Sequence, residues 1–330
     1  MTVAEALASV VGLGQLPAPM IVRERPSLLR LFFVRRGTIL PRVLPQVLGI
    51  AALSFAVVWA SRRSALHLPH GSPAPLSLLA IALSIFLGFR NNACYDRWWD
   101  ARKVWGALLI EVRSLARDAI SLLDDGGAEE PTAGRLVARR LVHRNIAFAY
   151  ALVGHLRGQD LGEDISRFVA EPERGRVLAS RNRPDALLRE SALELAAFRR
   201  DGRVSDIPWQ ALSARLHALS GVLAACERIR FTPLPFSYTI LLHRTAYLFC
   251  LLLPFGLVDV LGWMTPVLAA AVAYTFFGLD ALGDELEDPF GEAPNDLPLM
   301  ALARTAEIGL LEALGEPLPE PLRPHDFILR

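Results

Sequence analysis

Four long apolar stretches constrain the fold of this chain more than any other feature. Two of them contain no charged residue at all, and a third is uncharged until Asp280. A helix of about 20 apolar residues crosses the hydrocarbon core of a bilayer. The sequence therefore predicts four transmembrane helical regions, whereas a soluble protein would have to bury whole uncharged helices in its core. The predicted regions are 43–60, 74–89, 236–258 and 264–282.

Composition supports a chain that lies partly in lipid and partly in water. Of its 330 residues, 52% are hydrophobic and 21% are charged, which is apolar for a soluble protein and polar for a purely membrane-embedded one. The net charge of +1 gives no general field that attracts nucleic acid. Cys94, Cys226 and Cys250 lie far apart in the sequence, so neither a disulfide framework nor a zinc site is expected.

The region between the second and third apolar stretches has a helical pattern. After Trp98, apolar residues recur near the 3.6-residue period at Trp105, Leu108, Val112 and Leu115. A Gly- and Pro-containing loop is expected at 124–134. No alternating strand pattern occurs. The sequence thus predicts an all-α membrane protein whose second and fourth apolar helices continue into water, with cytosolic helices over about 91–231.

The two ends of the chain differ from the rest. Residues 1–19 are expected to be a disordered tail or an extension ahead of a true start at Met20. The main domain is expected over 20–300. A C-terminal helix and a proline-rich tail are expected over 301–330.

Basic residues give the orientation of the spans. Positively charged loops stay in the cytoplasm. Only Arg62 and Arg63 lie between the first two spans, and no basic residue separates the last two. Both termini and the region 91–231 are therefore predicted to be cytoplasmic, in a multi-pass protein of the bacterial inner membrane. Six arginines precede the first span: Arg23, Arg25, Arg30, Arg35, Arg36 and Arg42.

Motifs of enzymes are missing from the sequence. It has neither a P-loop nor a GxSxG elbow, and the GLG at 12–14 lacks the third glycine of a dinucleotide site. His67 and His70 are three residues apart, but no third metal ligand accompanies them. We therefore expect no enzymatic activity and no metal site.

His243 and Arg244 stand inside an apolar stretch. Ionisable groups within a span are costly unless they face protein or water. Two interpretations stay open. These residues either make a packing contact between helices, with Asp259 or Asp280 as partner, or line an aqueous path.

A narrow apolar stripe marks the second stretch. Ile81, Ile85 and Phe89 are spaced i, i+4, i+8, and at 100° per residue they fall within about 80° of arc. One helix cannot enclose a pore with such a stripe. Several copies around an axis would form three apolar rings of the kind that gate ion channels. The alternative is ordinary packing within one subunit.

Four stretches of the sequence resemble the bestrophins, in particular the bacterial ones. They are RLFFVRRGTILPRVLPQVL, FLGFRNNACYDRWWDARKVWG, LPFSYTILLHRTAYLFCLLLPFGLVD and GDELEDPFGEAPNDLPL. The resemblance implies an all-helical homopentameric ion channel in a lipid bilayer, with four membrane-crossing regions and a large cytosolic portion. It also implies a pore neck lined by Ile81, Ile85 and Phe89. The Trp and Arg residues at 97–105 are then expected to pack the helix against its neighbours.

The resemblance implies two further sites. A second constriction, at the cytosolic exit, falls on Ile207, which could instead be a helix-start contact before Pro208. The calcium clasp of animal members falls on Glu292, Asn295 and Asp296, where Ala293 and Pro294 replace carboxylates. Calcium prefers six to eight oxygen ligands, several of them charged. We therefore expect no cofactor and interpret these residues as a solvated turn.

The resemblance implies that monovalent ions pass through the channel. Chloride is the family's ion, and cation selectivity is open for a bacterial member. Two other functions remain to be distinguished. One is a secondary transporter that uses His243 and Arg244, and the other is a non-conducting membrane scaffold.

Overall fold

The computed structural model describes residues 38–63, 73–123 and 132–323. Within these residues the all-α prediction is confirmed, because helices account for the regular structure and no strand occurs. The predictions for residues 1–19 and 324–330, for His67 and His70, and for most of the loop at 124–134 lie outside them. The α-helices are α1 (Leu40–Arg63), α2 (Pro73–Leu123), α3 (Ala133–Arg157), α4 (Gly162–Ser166), α5 (Glu173–Ala179), α6 (Arg183–Arg200), α7 (Asp206–Phe231), α8 (Phe236–Leu261), α9 (Thr265–Glu287) and α10 (Leu299–Leu314).

Helix α2 has 51 residues, which correspond to about 75 Å at 1.5 Å per residue. Its prolines, Pro73 and Pro75, lie in the first turn, where the missing N–H groups have no helical partner in any case. Since no later proline interrupts the helix, the apolar stretch runs directly into the charged residues that follow Phe89. The prediction that this stretch continues as helix is confirmed.

The described chain forms two compact units. Residues 38–100 and 232–289 form the apolar unit, and residues 101–231 and 290–323 form the polar unit.

The apolar unit contains α1, the first part of α2, α8 and α9. Helix α9 packs along α1 and α8, and α8 also contacts α1. Small residues lie at these contacts: Ala246 on α8 and Ala269 and Ala273 on α9 are fully buried. Small side chains let helices approach closely, which favours their association in lipid. Leu83 and Leu87 of α2 contribute to the same core.

A tight turn joins α8 to α9. The 3₁₀ segment Gly262–Met264 separates the two helices, and Gly262 has φ 51° and ψ −124°, a conformation that essentially only glycine adopts. Because α8 and α9 pack on one another, the pair forms a hairpin. In the described part of the chain, three continuous helical stretches are long and apolar enough to cross a membrane, and the third of them contains both α8 and α9. They are Leu40–Arg63, Ala74–Leu123 and Phe236–Glu287.

The polar unit is built around α3. Residues 144–154 of this helix are all buried, because α4, α6, α7 and α10 pack on it. One buried polar contact links α3 to α10, where the Tyr150 hydroxyl donates to Glu307 at 2.5 Å. Burial and this hydrogen bond raise the pKa of Tyr150 above its ordinary value.

An ionic contact also joins the residues just after α10 to α3. Glu316 accepts a hydrogen bond from Arg139 Nε at 2.6 Å and lies 3.0 Å from His143 Nε2. Partial burial alone raises the pKa of Glu316, but the hydrogen bonds from Arg139 and His143 outweigh it, and the net pKa lies below the ordinary value of 4.5. The carboxylate therefore stabilises the fold above pH 4.5, and this contribution is lost as the pH falls through the lowered pKa.

Acidification is expected to loosen the C-terminal end of α10. As the pH falls from 7 through the lowered pKa of Glu316, protonation removes its contacts with Arg139 and His143. Hydrogen-exchange protection factors for residues 311–316 should fall over this range. Glu316→Gln should show the lower protection already at pH 7, with little further change on acidification. The same pH dependence in the variant would contradict the assignment.

Candidate pore-lining face and the ion pairs that hold it

One face of α2 is left uncovered by the other described residues. Ile81, Ile85 and Phe89 are 58%, 50% and 60% exposed. Leu83 and Leu87, on the opposite side of the same helix, are buried in the core of the apolar unit. The three side chains therefore form an exposed apolar row that faces away from that core.

The row continues beyond Phe89 with polar residues. At 100° per residue, Asn92, Asp96 and Trp99 lie on the same side of α2 as Ile81, and all three are exposed. Asp96 is the first charged side chain on this face after the apolar positions. The exposed face of α2 thus changes from apolar to polar within two turns.

Arg90 follows Phe89 directly but points to the covered side of α2. Its side chain is fully buried, and Nη1 donates to Asp280 Oδ1 at 2.8 Å. Nη2 donates to Asp284 Oδ1 at 2.6 Å and lies 3.5 Å from Glu287 Oε2. The three acids are spaced i, i+4, i+7 and so share one face of α9. A buried arginine needs such compensation, because an unpaired buried charge is strongly destabilising.

Two more helices join these ion pairs. Arg42 of α1 donates to Asp284 Oδ2 at 2.9 Å, and His243 Nδ1 of α8 lies 2.6 Å from Asp280 Oδ2. All four helices of the apolar unit therefore meet in one group of charged residues, which we call the ion-pair cluster. It consists of Arg42, Arg90, His243, Asp280, Asp284 and Glu287.

Gly283 leaves the space that the ion-pair cluster needs. A Cβ atom at this position would lie 2.7 Å from Asn91 Oδ1 and 3.1 Å from Arg90 Nη1. A larger residue on α9 would therefore displace the guanidinium from its carboxylates.

His243 and Arg244 occupy different surroundings. His243 contacts Asp280, one of the two partners suggested by the sequence, and its side chain is half exposed. Arg244 is exposed, and no carboxylate of the described residues lies within ion-pair distance of it. The structure thus includes the helix-packing contact for His243, whereas Arg244 has no ion-pair partner among the described residues.

Arg97 closes the end of α9. Its Nε donates to the carbonyl of Glu287, the last residue of that helix, at 2.7 Å, and its Nη1 donates to the carbonyl of Thr232 at 2.7 Å. Basic side chains commonly satisfy the free carbonyls at helix C-termini. The neighbouring Trp98 and Trp99 rings are stacked 6.4 Å apart.

Ile207 lies at the start of α7 and is 81% exposed. The helix start is fixed by its neighbours, because Arg199 donates to Asp206 Oδ1 at 2.7 Å and stacks on Trp209 at 4.4 Å. The described residues of the chain therefore leave the Ile207 side chain largely uncovered.

The segment after Phe290 forms a turn that does not fit a calcium site. The Asp296 carboxylate accepts from the Ala293 N–H at 2.6 Å, and Glu292 accepts from Gln159 at 2.9 Å. Arg157 donates to the carbonyls of Phe290 and Leu297 at 3.2 and 3.3 Å. An arginine thus already binds oxygens of this turn. Among the described residues, no three His, Cys, Asp or Glu side chains are arranged so that they could hold a metal ion.

Comparison with known proteins identifies the family of this chain. A family profile described as bacterial/fungal bestrophin protein matches residues 20–312. The chain belongs to the bacterial and fungal bestrophin family. A crystal structure of a bacterial bestrophin homologue from Klebsiella pneumoniae has 38% sequence identity to it and a TM-score of 0.78, covering 83% of this chain and 99% of that one.

Two bestrophin relatives carry a functional name. A protein of Mesorhizobium japonicum is 46% identical over 308 residues, 93% of this chain and 96% of its own length. The YneE protein of Escherichia coli K12 is 42% identical over 301 residues, 90% of this chain and 95% of its own. Both are named voltage-dependent anion channel-forming proteins.

The pairing of Arg90 with Asp280 and Asp284 in this bestrophin was not predicted from the sequence. Arg90 and Asp280 are each the first charge after an apolar stretch, and Asp284 follows one turn later. Opposite charges at equivalent ends of two predicted spans are a signal for pairing, because an ionisable group at that depth needs a partner.

Replacing the buried cation is expected to destabilise the protein far more than replacing the exposed one. Arg90→Met removes the buried guanidinium that compensates Asp280 and Asp284, and we expect a loss of about 3–5 kcal/mol. Arg42→Met removes a half-exposed partner of Asp284 and should cost about 1 kcal/mol or less. Thermal unfolding in detergent measures both.

A double variant serves as the control for this comparison. Arg90→Met with Asp280→Asn removes the uncompensated charge as well, so part of the lost stability should return. Equal unfolding midpoints for Arg90→Met and Arg42→Met would contradict the importance of the buried pair.

Proposed function

We propose that this bestrophin is the subunit of a homopentameric anion channel of the bacterial inner membrane. The observation that carries the proposal is the exposed apolar row of Ile81, Ile85 and Phe89, opposite the buried face of the same helix. The names of the relatives from Mesorhizobium and Escherichia support conduction of anions.

The proposed topology has four crossings, made by α1, the apolar part of α2, α8 and α9. The hairpin of α8 and α9 supports two separate crossings, because each helix exceeds 20 residues. The polar unit and both termini are placed in the cytoplasm. The excess of arginine before the first span supports this orientation.

The proposed neck works through weak hydration. Five copies of α2 around one axis would bring Ile81, Ile85 and Phe89 into three stacked apolar rings. Water leaves a narrow apolar ring easily, so an ion meets a barrier there. Ile207, exposed at the start of α7, would form a second apolar ring at the cytosolic exit.

The neck itself has no charge with which to choose an ion. Arg90 is buried against three acids and faces away from the row, so its charge is compensated. Asp96 is the first charged group on the open face of α2. We therefore propose that a ring of Asp96 carboxylates lowers the preference of the pore for anions.

Shortening the neck side chains is expected to open the pore. Replacing Ile81, Ile85 and Phe89 by Ala widens all three rings, and the unitary conductance in planar bilayers should rise several-fold or become a constant leak. The matched control replaces Leu241, Leu248 and Val267 by Ala. These residues are similarly exposed, on α8 and α9, and the control should conduct like the wild type.

Several outcomes would count against the proposal. Unchanged currents in the neck variant, or equal changes in the control, would remove the assignment of the neck. Saturable, gradient-coupled flux without unitary steps would indicate a transporter, and no flux from reconstituted liposomes would indicate a scaffold. A purified assembly with other than five subunits would contradict the pentamer.

Removing the charge of Asp96 is expected to shift ion selectivity. Under a salt gradient, Asp96→Asn should move the reversal potential towards that of anions, because the five carboxylates no longer attract cations. Asp96→Glu keeps the charge and should leave the reversal potential close to the wild-type value. A reversal potential that is the same in Asp96→Asn and in the wild type would exclude Asp96 from ion selection.

A further inference from the structure

Arg62 and Arg63 lie in the last turn of α1. No carboxylate of the described residues lies within ion-pair distance of Arg62 or Arg63. The Arg62 guanidinium lies over the turn between α8 and α9, where a Cβ atom on Gly262 would be 2.8 Å from Nη2. The Arg63 guanidinium stacks on the Trp59 ring, 5.0 Å from its centre.

Exposed aromatic rings lie next to these arginines. Phe55, two turns before Arg62, contacts Trp263 with ring centres 5.7 Å apart. Phe55, Trp59 and Trp263 are each about half exposed. Tryptophan is enriched where hydrocarbon meets the polar headgroups of a bilayer. This end of the apolar unit therefore combines guanidinium groups with an apolar, aromatic surface beneath them.

The charge at this end is positive. Asp259, one turn before the Gly262 turn, is the acid nearest to it in sequence, so the two arginines leave an excess of one positive charge. Basic residues also interact favourably with a helix C-terminus. That effect explains why basic residues occur in the last turn of α1. It does not explain why the Arg62 side chain extends to the turn between α8 and α9.

We propose that Arg62 and Arg63 bind the phosphate of an anionic phospholipid of the phosphatidylglycerol class, with an acyl chain along Phe55 and Trp263. Arginine binds phosphate through paired N–H donors. A free phosphate would leave the aromatic surface unused, whereas a phospholipid fits both parts. The proposal rests on membrane embedding but not on ion conduction. In the proposed topology these arginines face outward, where basic residues are uncommon, and an anionic lipid supplies their counter-charge.

Lipid enrichment tests the proposal. The full-length protein is reconstituted in vesicles with equal amounts of phosphatidylglycerol and phosphatidylcholine and extracted gently, and the bound lipids are quantified. We expect phosphatidylglycerol to be enriched roughly 25-fold, since each of the two arginines near a surface contributes about fivefold. In R62Q/R63Q the enrichment should fall close to one, while R62K/R63K should retain most of it.

The controls separate this site from general charge effects. R200Q/R203Q removes two exposed arginines of the polar unit and should leave the enrichment unchanged. Unchanged enrichment in R62Q/R63Q would overturn the proposal. Complete displacement of the lipid by excess inorganic phosphate would also overturn it, because the site would then bind the free ion. Neither readout requires ion flux, so failure here leaves the channel proposal intact.

Discussion

The buried charge of Arg90 fixes the orientation of α2, and the exposed apolar row depends on it. The three acids that compensate Arg90 share one face of α9. Turning α2 by a single residue would rotate the guanidinium by 100° and leave it buried without its carboxylates, at a cost of several kcal/mol. Phe89 therefore stays on the open side of the helix because its neighbour is held on the other.

The pairing also decides which charges are able to act on a passing ion. Within the ion-pair cluster, two arginines stand against three carboxylates, so most of the charge is compensated and the field of the cluster at a distance is small. Charges without such compensation act over longer distances. On α2 this leaves the open face, where Asp96 follows the apolar positions, as the source of any sign preference in the proposed neck.

The sequence contained the helices and the apolar row but not the contacts that orient them. The absence of proline after Pro75 predicts the unbroken α2, and the spacing of Ile81, Ile85 and Phe89 predicts one stripe. The link between Arg90 and Asp280 spans 190 residues. Its register depends on how the turn at Gly262 places α9 against α2, and no local pattern encodes that. The exposure of Ile207 likewise depends on tertiary packing.

The charged residues of α1 give a measure of where hydrocarbon would lie. Arg42, in the ion-pair cluster, and Arg62, at the other end, are 20 residues apart, which is about 30 Å along a helix. This distance equals the thickness of a bilayer core, and no charged residue occurs between 43 and 60. Phe89 adjoins the cluster in sequence, and Ile81 lies about 12 Å further along α2. A neck formed by this row would therefore lie in the half of the bilayer nearer the ion-pair cluster.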